Sequence, residues 1–242
     1  MMIVLINSPS LKFKMNSIAE RLRYLSRLLR GKYRPTGSDT FFSDVRGVVH
    51  IGANTGQERF FYLANNICVL WVEPIPDVFQ KLILNLQSLT HQKALNFLIS
   101  DIDGQEIDFH VTDNGGESSS IFQLEKHKLL WPEVNHAQTI KLLTTRFDTM
   151  IAKENIDIRT YQALVIDTQG AELLVLKGAE SIIHHFKYIK LEVADFESYS
   201  GNCTLDEITS FMQQNHFIEH SRTQFAQHEV GSYFDITYKR LP

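Results

Sequence analysis

Cysteine is scarce in this sequence, and long apolar runs are absent. Cys68 and Cys203 are the only two cysteines in 242 residues. They are too few and too unpatterned for a disulfide framework or a zinc site, so a reduced, cytoplasmic protein is expected. No apolar run approaches the ~18 residues that a membrane-spanning helix needs. The opening MMIVLINSPS is apolar but short. It lacks a basic leader and a small-residue cleavage site, so it reads poorly as a signal peptide. No internal repeat is visible, and no histidine or carboxylate cluster has metal-ligand spacing, so no metal is expected. What is present is 43% hydrophobic and 21% charged residues. Those proportions suit one compact domain with a sizeable core and argue against bulk disorder.

The net charge of -4 hides an asymmetry. Residues 11–34 hold eight Lys and Arg against Glu20 alone, a local +7 that leaves -11 for the rest. An acidic body is not a nucleic-acid surface. The basic stretch SIAERLRYLSRLLR (17–30) puts Ile18, Leu22, Leu25, Leu28 and Leu29 on one helical face. Such a helix is a candidate for peripheral membrane contact; packing on the domain with solvated arginines is the preferred reading. Gly31 and Pro35 close it, and RPTGSD reads as a linker. The expected division is residues 1–40 as helix and linker, and 41–242 as one domain. A homo-oligomer is left open.

From residue 47 strand-like and helix-like stretches alternate. GVVHI, CVLWVEP, ALNFLISD, EIDFHVTD, TIKLLTTRF, YQALVIDTQG, YIKLEVAD and VGSYFDITYKR read as strands. QERFFYLANN, IPDVFQKLILNLQ, AELLVLKGAESIIHHF and LDEITSFMQQNHF read as helices. The alternation predicts an α/β fold with a mostly parallel sheet covered on both faces. Ligands of such sheets lie beyond the carboxyl ends of the strands. Those ends carry His50 to Gly56, Glu73, Ser100 and Asp101, Asp167 to Glu172, and Glu192 to Asp195.

Gly52 and Gly56 sit in VVHIGANTGQE, at a strand-to-helix turn. Glycine there permits left-handed backbone and lets a ligand touch the chain. Glu73 ends the next strand, where an acid can accept hydrogen bonds from ribose hydroxyls. NAD and S-adenosylmethionine both fit that contact. The NAD fingerprint G-x-G-x-x-G is broken, because Asn54 and Gln57 stand at its second and third glycine positions.

These segments resemble the FkbM-type methyltransferases, a group of S-adenosylmethionine-dependent enzymes. The resemblance spans about residues 46 to 220. It is carried, in order, by VVHIGANTGQE, VEPIPDVFQKL, SDIDG, NGGESSSI, TTRFDTM, VIDTQGAELLVLKGAE, LEV and FMQQNHF. It implies a Rossmann-like class I methyltransferase fold with a seven-stranded sheet, S-adenosyl-L-methionine as cofactor, and a hydroxyl of a sugar, glycan or small natural product as acceptor. By position, Gly52, Asn54 and Gly56 would line the methionine and ribose part of the cofactor. Glu73 would hold the ribose, with Ser100 and Asp101 at the adenine edge. His50 stands where many members carry Asp; a neutral histidine can still accept a hydrogen bond.

Methyl transfer to an alcohol needs orientation and a proton acceptor. Asp167, ending a buried strand, is the first candidate base and a further cofactor contact. His127, on an apparent insertion, and Glu172, at a helix start, are the others. Ser118, Ser119, Ser120 and Glu192 are candidate acceptor contacts. Two other readings stay open: an NAD-dependent oxidoreductase, and a non-catalytic partner module with a vestigial pocket.

Overall fold

A computed structural model describes residues 37–242. The basic helix expected at 17–30 lies outside the described residues. Gly37, Ser38 and Asp39, from the stretch read as linker, begin a 3-10 helix, Gly37–Asp44. Its Phe41 and Phe42 are buried, and Asp39 pairs with Lys190 at 2.7 Å.

The strands, in chain order, are β1 (Gly47–Ile51), β2 (Cys68–Val72), β3 (Gln92–Leu95), β4 (Leu98–Ser100), β5 (Glu106–Thr112), β6 (His136–Arg146), β7 (Ala163–Ile166), β8 (Tyr188–Ala194), β9 (Phe217–His228) and β10 (Gly231–Arg240). The helices are α1 (Arg59–Ala64), α2 (Pro76–Leu86), α3 (His127–Leu130), α4 (Phe147–Lys153), α5 (Glu172–Gly178) and α6 (Leu205–Gln214). Seven strands form one sheet in the order β3-β2-β1-β7-β8-β10-β9. β1, β2, β3, β7 and β8 run parallel; β10 is antiparallel to both its neighbours. The expected mostly parallel α/β sheet is therefore present.

β1 and β7 are buried along their whole length, as continuous apolar runs require of strands covered on both faces. Alternate residues serve two cores. Val48 faces one with Tyr62 of α1, Leu82 and Leu86 of α2, Phe41 and Phe42. Val49 and Ile51 face the other with α4, α5 and α6. In α2 the proline occupies the first turn, where its missing N–H costs nothing, and Val78, Leu82 and Leu86 bury one stripe. A capping box between Thr204 and Glu207 starts α6.

Three expectations are corrected. ALNFLISD is not one strand: it breaks at Asn96, whose side-chain amide donates to the carbonyls of Glu73 (2.7 Å) and Pro74 (3.0 Å). β4 instead joins β5 and β6 in a second, three-stranded sheet of order β4-β6-β5. The helix expected from Ala171 to Phe186 ends at Gly178, where a β-carbon would overlap the Ser100 carbonyl. β9 was not anticipated. Its sequence FIEHSRTQFAQH is largely exposed at the sheet edge, so it lacks the apolar run that marks the inner strands.

Candidate active site

A cleft of about 530 Å³ opens over the carboxyl ends of β1, β2, β7 and β8. Its floor begins with the turn after β1. Gly52 has φ +83°, and a β-carbon there would overlap the Asp167 carbonyl at the end of β7. Gly56, φ +72°, faces away from the cleft; a β-carbon would stand 2.8 Å from the Leu82 methyl. The neighbours that demand glycine are thus protein atoms, and Gly52 lines the cleft as well. Asn54 is left-handed, φ 44°, a conformation asparagine tolerates better than most residues.

Glu73 is buried at the end of β2. Its Oε2 accepts from the Asn54 backbone N–H at 2.8 Å and its Oε1 from that of Ile75 at 2.9 Å. Burial nevertheless pushes its carboxyl up to about 7, against those two hydrogen bonds. A carboxylate offers about four lone-pair sites, so each oxygen keeps one for a ribose hydroxyl. His50 is buried, with Nδ1 3.1 Å from the Tyr62 hydroxyl and its ring stacked on Trp71. Burial lowers its pKa and holds it neutral.

Asp167 and Glu192 face the same cleft from β7 and β8. Burial raises both carboxyls: Asp167 goes up to about 7, with the charge of Glu172 adding to burial, and the charge of Asp167 raises Glu192 further. Gln169 joins them: its Nε2 donates to Asp167 Oδ1 at 2.6 Å and lies 3.3 Å from Glu192 Oε1. The amide is oriented in turn by the Tyr199 hydroxyl, donating to Gln169 Oε1 at 2.7 Å. Gln169 has φ 54°, and Ser120 Oγ donates to its carbonyl at 2.7 Å. Sequence reasoning passed over Gln169. Its signal lay within VIDTQGAE, two residues after the candidate base.

The roof comes from residues 114–134. Asn54 Nδ2 donates to the Gly115 carbonyl at 3.2 Å, tying the first turn to this loop. The three serines hold the loop itself. Ser118 Oγ accepts from Asn114, and Ser119 Oγ from the Thr112 backbone. Ser118 and Ser119 line the cleft. His127 does too; it is 3% exposed, and its Nδ1 has no hydrogen-bond partner. Burial pushes its pKa down to about 4, so it stands neutral. Its ring is 4.7 Å from that of Trp131, which lies 5.1 Å from Tyr233 of β10. Trp131 and Tyr233 also went unanticipated, since loop and final strand meet only in the fold.

Some expected residues lie elsewhere. Ser100 and Asp101 face a separate cavity with Gln105, Ile107 and Thr144; Leu98 and Ile99 line the cleft in their place. Glu172 Oε1 accepts from Thr168 N–H, Thr168 Oγ1 and Gly170 N–H, at 3.0 to 3.1 Å. It holds the β7–α5 turn beneath the cleft. Among the described residues no group of three or more His, Cys, Asp or Glu side chains could hold a metal ion.

The profile of the methyltransferase FkbM domain matches residues 50–219, most of the described chain. The chain belongs to the FkbM methyltransferase family. It is an S-adenosylmethionine-dependent methyltransferase. The cleft fits this donor: Glu73 has lone pairs free for a ribose, Phe97, Leu98 and Ile99 give an apolar edge, and the lining acids suit a sulfonium cation. A curated relative, the 2-O-methyltransferase NoeI of Sinorhizobium fredii (strain NBRC 101917 / NGR234), is 27% identical over 173 residues, 68% of this chain and 70% of its own. Among solved structures, an uncharacterized protein from Listeria monocytogenes serotype 4b aligns with TM-score 0.49 at 10% identity, covering 86% of this chain and 69% of that one. The magnesium protoporphyrin IX methyltransferase of Synechocystis PCC 6803 aligns with TM-score 0.47 at 8% identity, covering 92% and 78%.

The carboxyl of Glu73 sets an expected pH dependence. Its folded pKa lies above that of an exposed glutamate. Its contribution to the stability of the cofactor-free domain is therefore full below about pH 4.5 and lost as pH rises through about 7. Ribose hydroxyls held by Glu73 would donate to its ionised form, so cofactor affinity is expected to run the other way and to rise over the same window. Calorimetry should show binding of S-adenosylhomocysteine about 10-fold tighter at pH 8 than at pH 6. In Glu73→Gln that slope should vanish and affinity should fall at least ~10-fold. A slope retained in the variant would assign the titration to another group.

Proposed function

We propose that the protein transfers a methyl group from S-adenosylmethionine to a hydroxyl oxygen of a sugar, glycan or small natural product. When bound, this cofactor supplies a methyl group already activated on a sulfonium. The protein's part is to orient the hydroxyl and take its proton. Asp167 does the second. Its Oδ1 is engaged by Gln169, which leaves Oδ2 to accept the proton, and burial, with the nearby charge of Glu172, keeps its proton affinity well above that of an exposed aspartate. The observation that carries the proposal is this carboxylate pair, bridged by one glutamine amide, facing the cleft at the ends of β7 and β8. The named 2-O-methyl transfer of the Sinorhizobium relative supports oxygen as the nucleophile. His127 and the wall of Trp131 and Tyr233 hold the acceptor, and Ser118 and Ser119 keep the roof in place.

The test is a melting series followed by a transfer assay. At 100 times Kd a ligand adds ~2.7 kcal/mol, a rise of roughly 5–10 °C for a domain of this size. S-adenosylmethionine and S-adenosylhomocysteine should each produce it, and NADH should not. Labelled methyl should then appear on hydroxylated acceptors. Binding without transfer to any hydroxyl compound would restore the non-catalytic partner reading.

A further inference from the structure

Three features of the cleft bear on the charge of its acceptor. First, among the described residues that line it there is no lysine or arginine, while six are acidic: Glu58, Glu73, Glu117, Glu133, Asp167 and Glu192. Second, the backbone N–H groups that would hold a phosphate at strand-to-helix turns are already taken. Glu73 accepts those of Asn54 and Ile75, and Glu172 accepts those of Thr168 and Gly170. Both anion seats are filled by carboxylates of the protein itself. Third, two of the acids stand in the roof segment, Glu117 where it meets the turn after β1 and Glu133 at its far end. Glu117 is held by the Gln57 amide at 3.3 Å. Glu133 follows Trp131 by two residues, and its charge reaches the His127 ring. The lining beside Glu133 is aromatic, with the Trp131 and Tyr233 rings edge to face and their centres 5.1 Å apart.

We propose that this cleft accepts an uncharged or amine-bearing polyol ring, and that Glu117 and Glu133 exclude phosphorylated, nucleotide-linked and carboxylated acceptors. The proposal rests on the hydroxyl-transfer reading and narrows it. An aromatic face suits the C–H face of a sugar ring, whereas a phosphate or carboxylate would meet like charge with no cation to offset it. In a reaction sequence, glycosyl transfer from any nucleotide carrier, or removal of a phosphate, then precedes methylation.

The experiment uses the full chain, labelled S-adenosylmethionine and a panel of hexoses. Each is offered in neutral, 6-amino-6-deoxy, uronate and 6-phosphate form. kcat/KM for the uronate and phosphate forms should fall at least ~10-fold below the neutral form, with a larger gap at low salt. In the double variant E117Q/E133Q the gap should shrink towards parity, because both roof charges are gone while the cofactor's floor residues are untouched. Anionic forms that react as fast as neutral ones would overturn this proposal and leave hydroxyl transfer standing. A gap unchanged in the double variant would likewise refute the role of the two glutamates. No transfer to any member, with the S-adenosylmethionine melting shift intact, would remove the hydroxyl-transfer reading and this proposal with it.

Discussion

Asp167→Asn is expected to lower kcat by about 10²–10⁴-fold, the range for loss of a positioned base, with cofactor affinity falling much less. Asparagine keeps the shape of the side chain, and its Oδ1 can still accept from Gln169, which donates to Asp167 at 2.6 Å. What disappears is the oxygen able to take a proton. A second consequence separates this loss from simple distortion. Glu192 is held protonated by burial and by the charge of Asp167. Without that charge its pKa moves down, so the residual pH–rate profile should shift to lower pH. Steady-state kinetics across pH 5.5–9, with calorimetry for the cofactor, measures both effects. If Asp167→Asn retains full kcat, the base is another group, and His127 becomes the first candidate because its buried Nδ1 is free.

Gly52→Ala is expected to be among the most damaging single changes in the fold. The backbone there is left-handed, φ +83°, which costs an L-residue roughly 1–2 kcal/mol. The added methyl would also overlap the Asp167 carbonyl, and neither atom sits on a flexible side chain. Relief requires β1 to part from β7, yet that junction is closed by the Asp167 N–H donating to the Ile51 carbonyl at 2.9 Å. A total above ~4 kcal/mol belongs to the small class of severe substitutions, against an overall stability of ~5–15 kcal/mol. The expected result is insoluble protein, or a urea midpoint far below the parent's together with loss of the cofactor-induced melting shift. A melting temperature within ~2 °C of the parent would contradict the close contact. Gly56→Ala is the milder control. Its β-carbon would press on the end of the Leu82 side chain at 2.8 Å, which can move.

The inner strands were legible because they are short, apolar and flanked by turn residues. GVVHI and YQALVIDTQG predicted β1 and β7, and with them the line along which the cleft opens. Glu73 and Asp167 were legible for the same reason, as acids placed where such strands end. β9 was not, because an edge strand needs no apolar alternation to form. The break at Asn96 was hidden as well: the carbonyls it satisfies belong to residues more than twenty positions earlier in the chain. Position along the sequence also misjudged partners. Glycines read as making room for a ligand make room for Asp167 and Leu82. Glu172, read as a candidate base, spends one oxygen on three donors of its own turn. Gln169, Tyr199 and Tyr233 meet only once β7, β8 and β10 are side by side, a proximity no local pattern encodes.

The segment between β5 and β6 leaves and re-enters the small sheet at nearly one point. The Asp113 N–H donates to the Asn135 carbonyl at 3.0 Å. Asp113 Oδ1 and Oδ2 accept from the Asn135 backbone at 2.9 Å and side chain at 3.3 Å. The segment between these clamped residues, Glu117, His127, Trp131 and Glu133 included, is fastened again at three places: the turn after β1, the Gln169 carbonyl, and the Ser198 carbonyl beyond β8. The stretch is a cassette with a defined set of seams. Exchanged at Asp113 and Asn135 for the matching stretch of another family member, it must bring partners for Asn54, Gln57, Gln169 and Ser198. Chimeras cut at these two residues offer a direct route to transplanting acceptor choice from one enzyme to another.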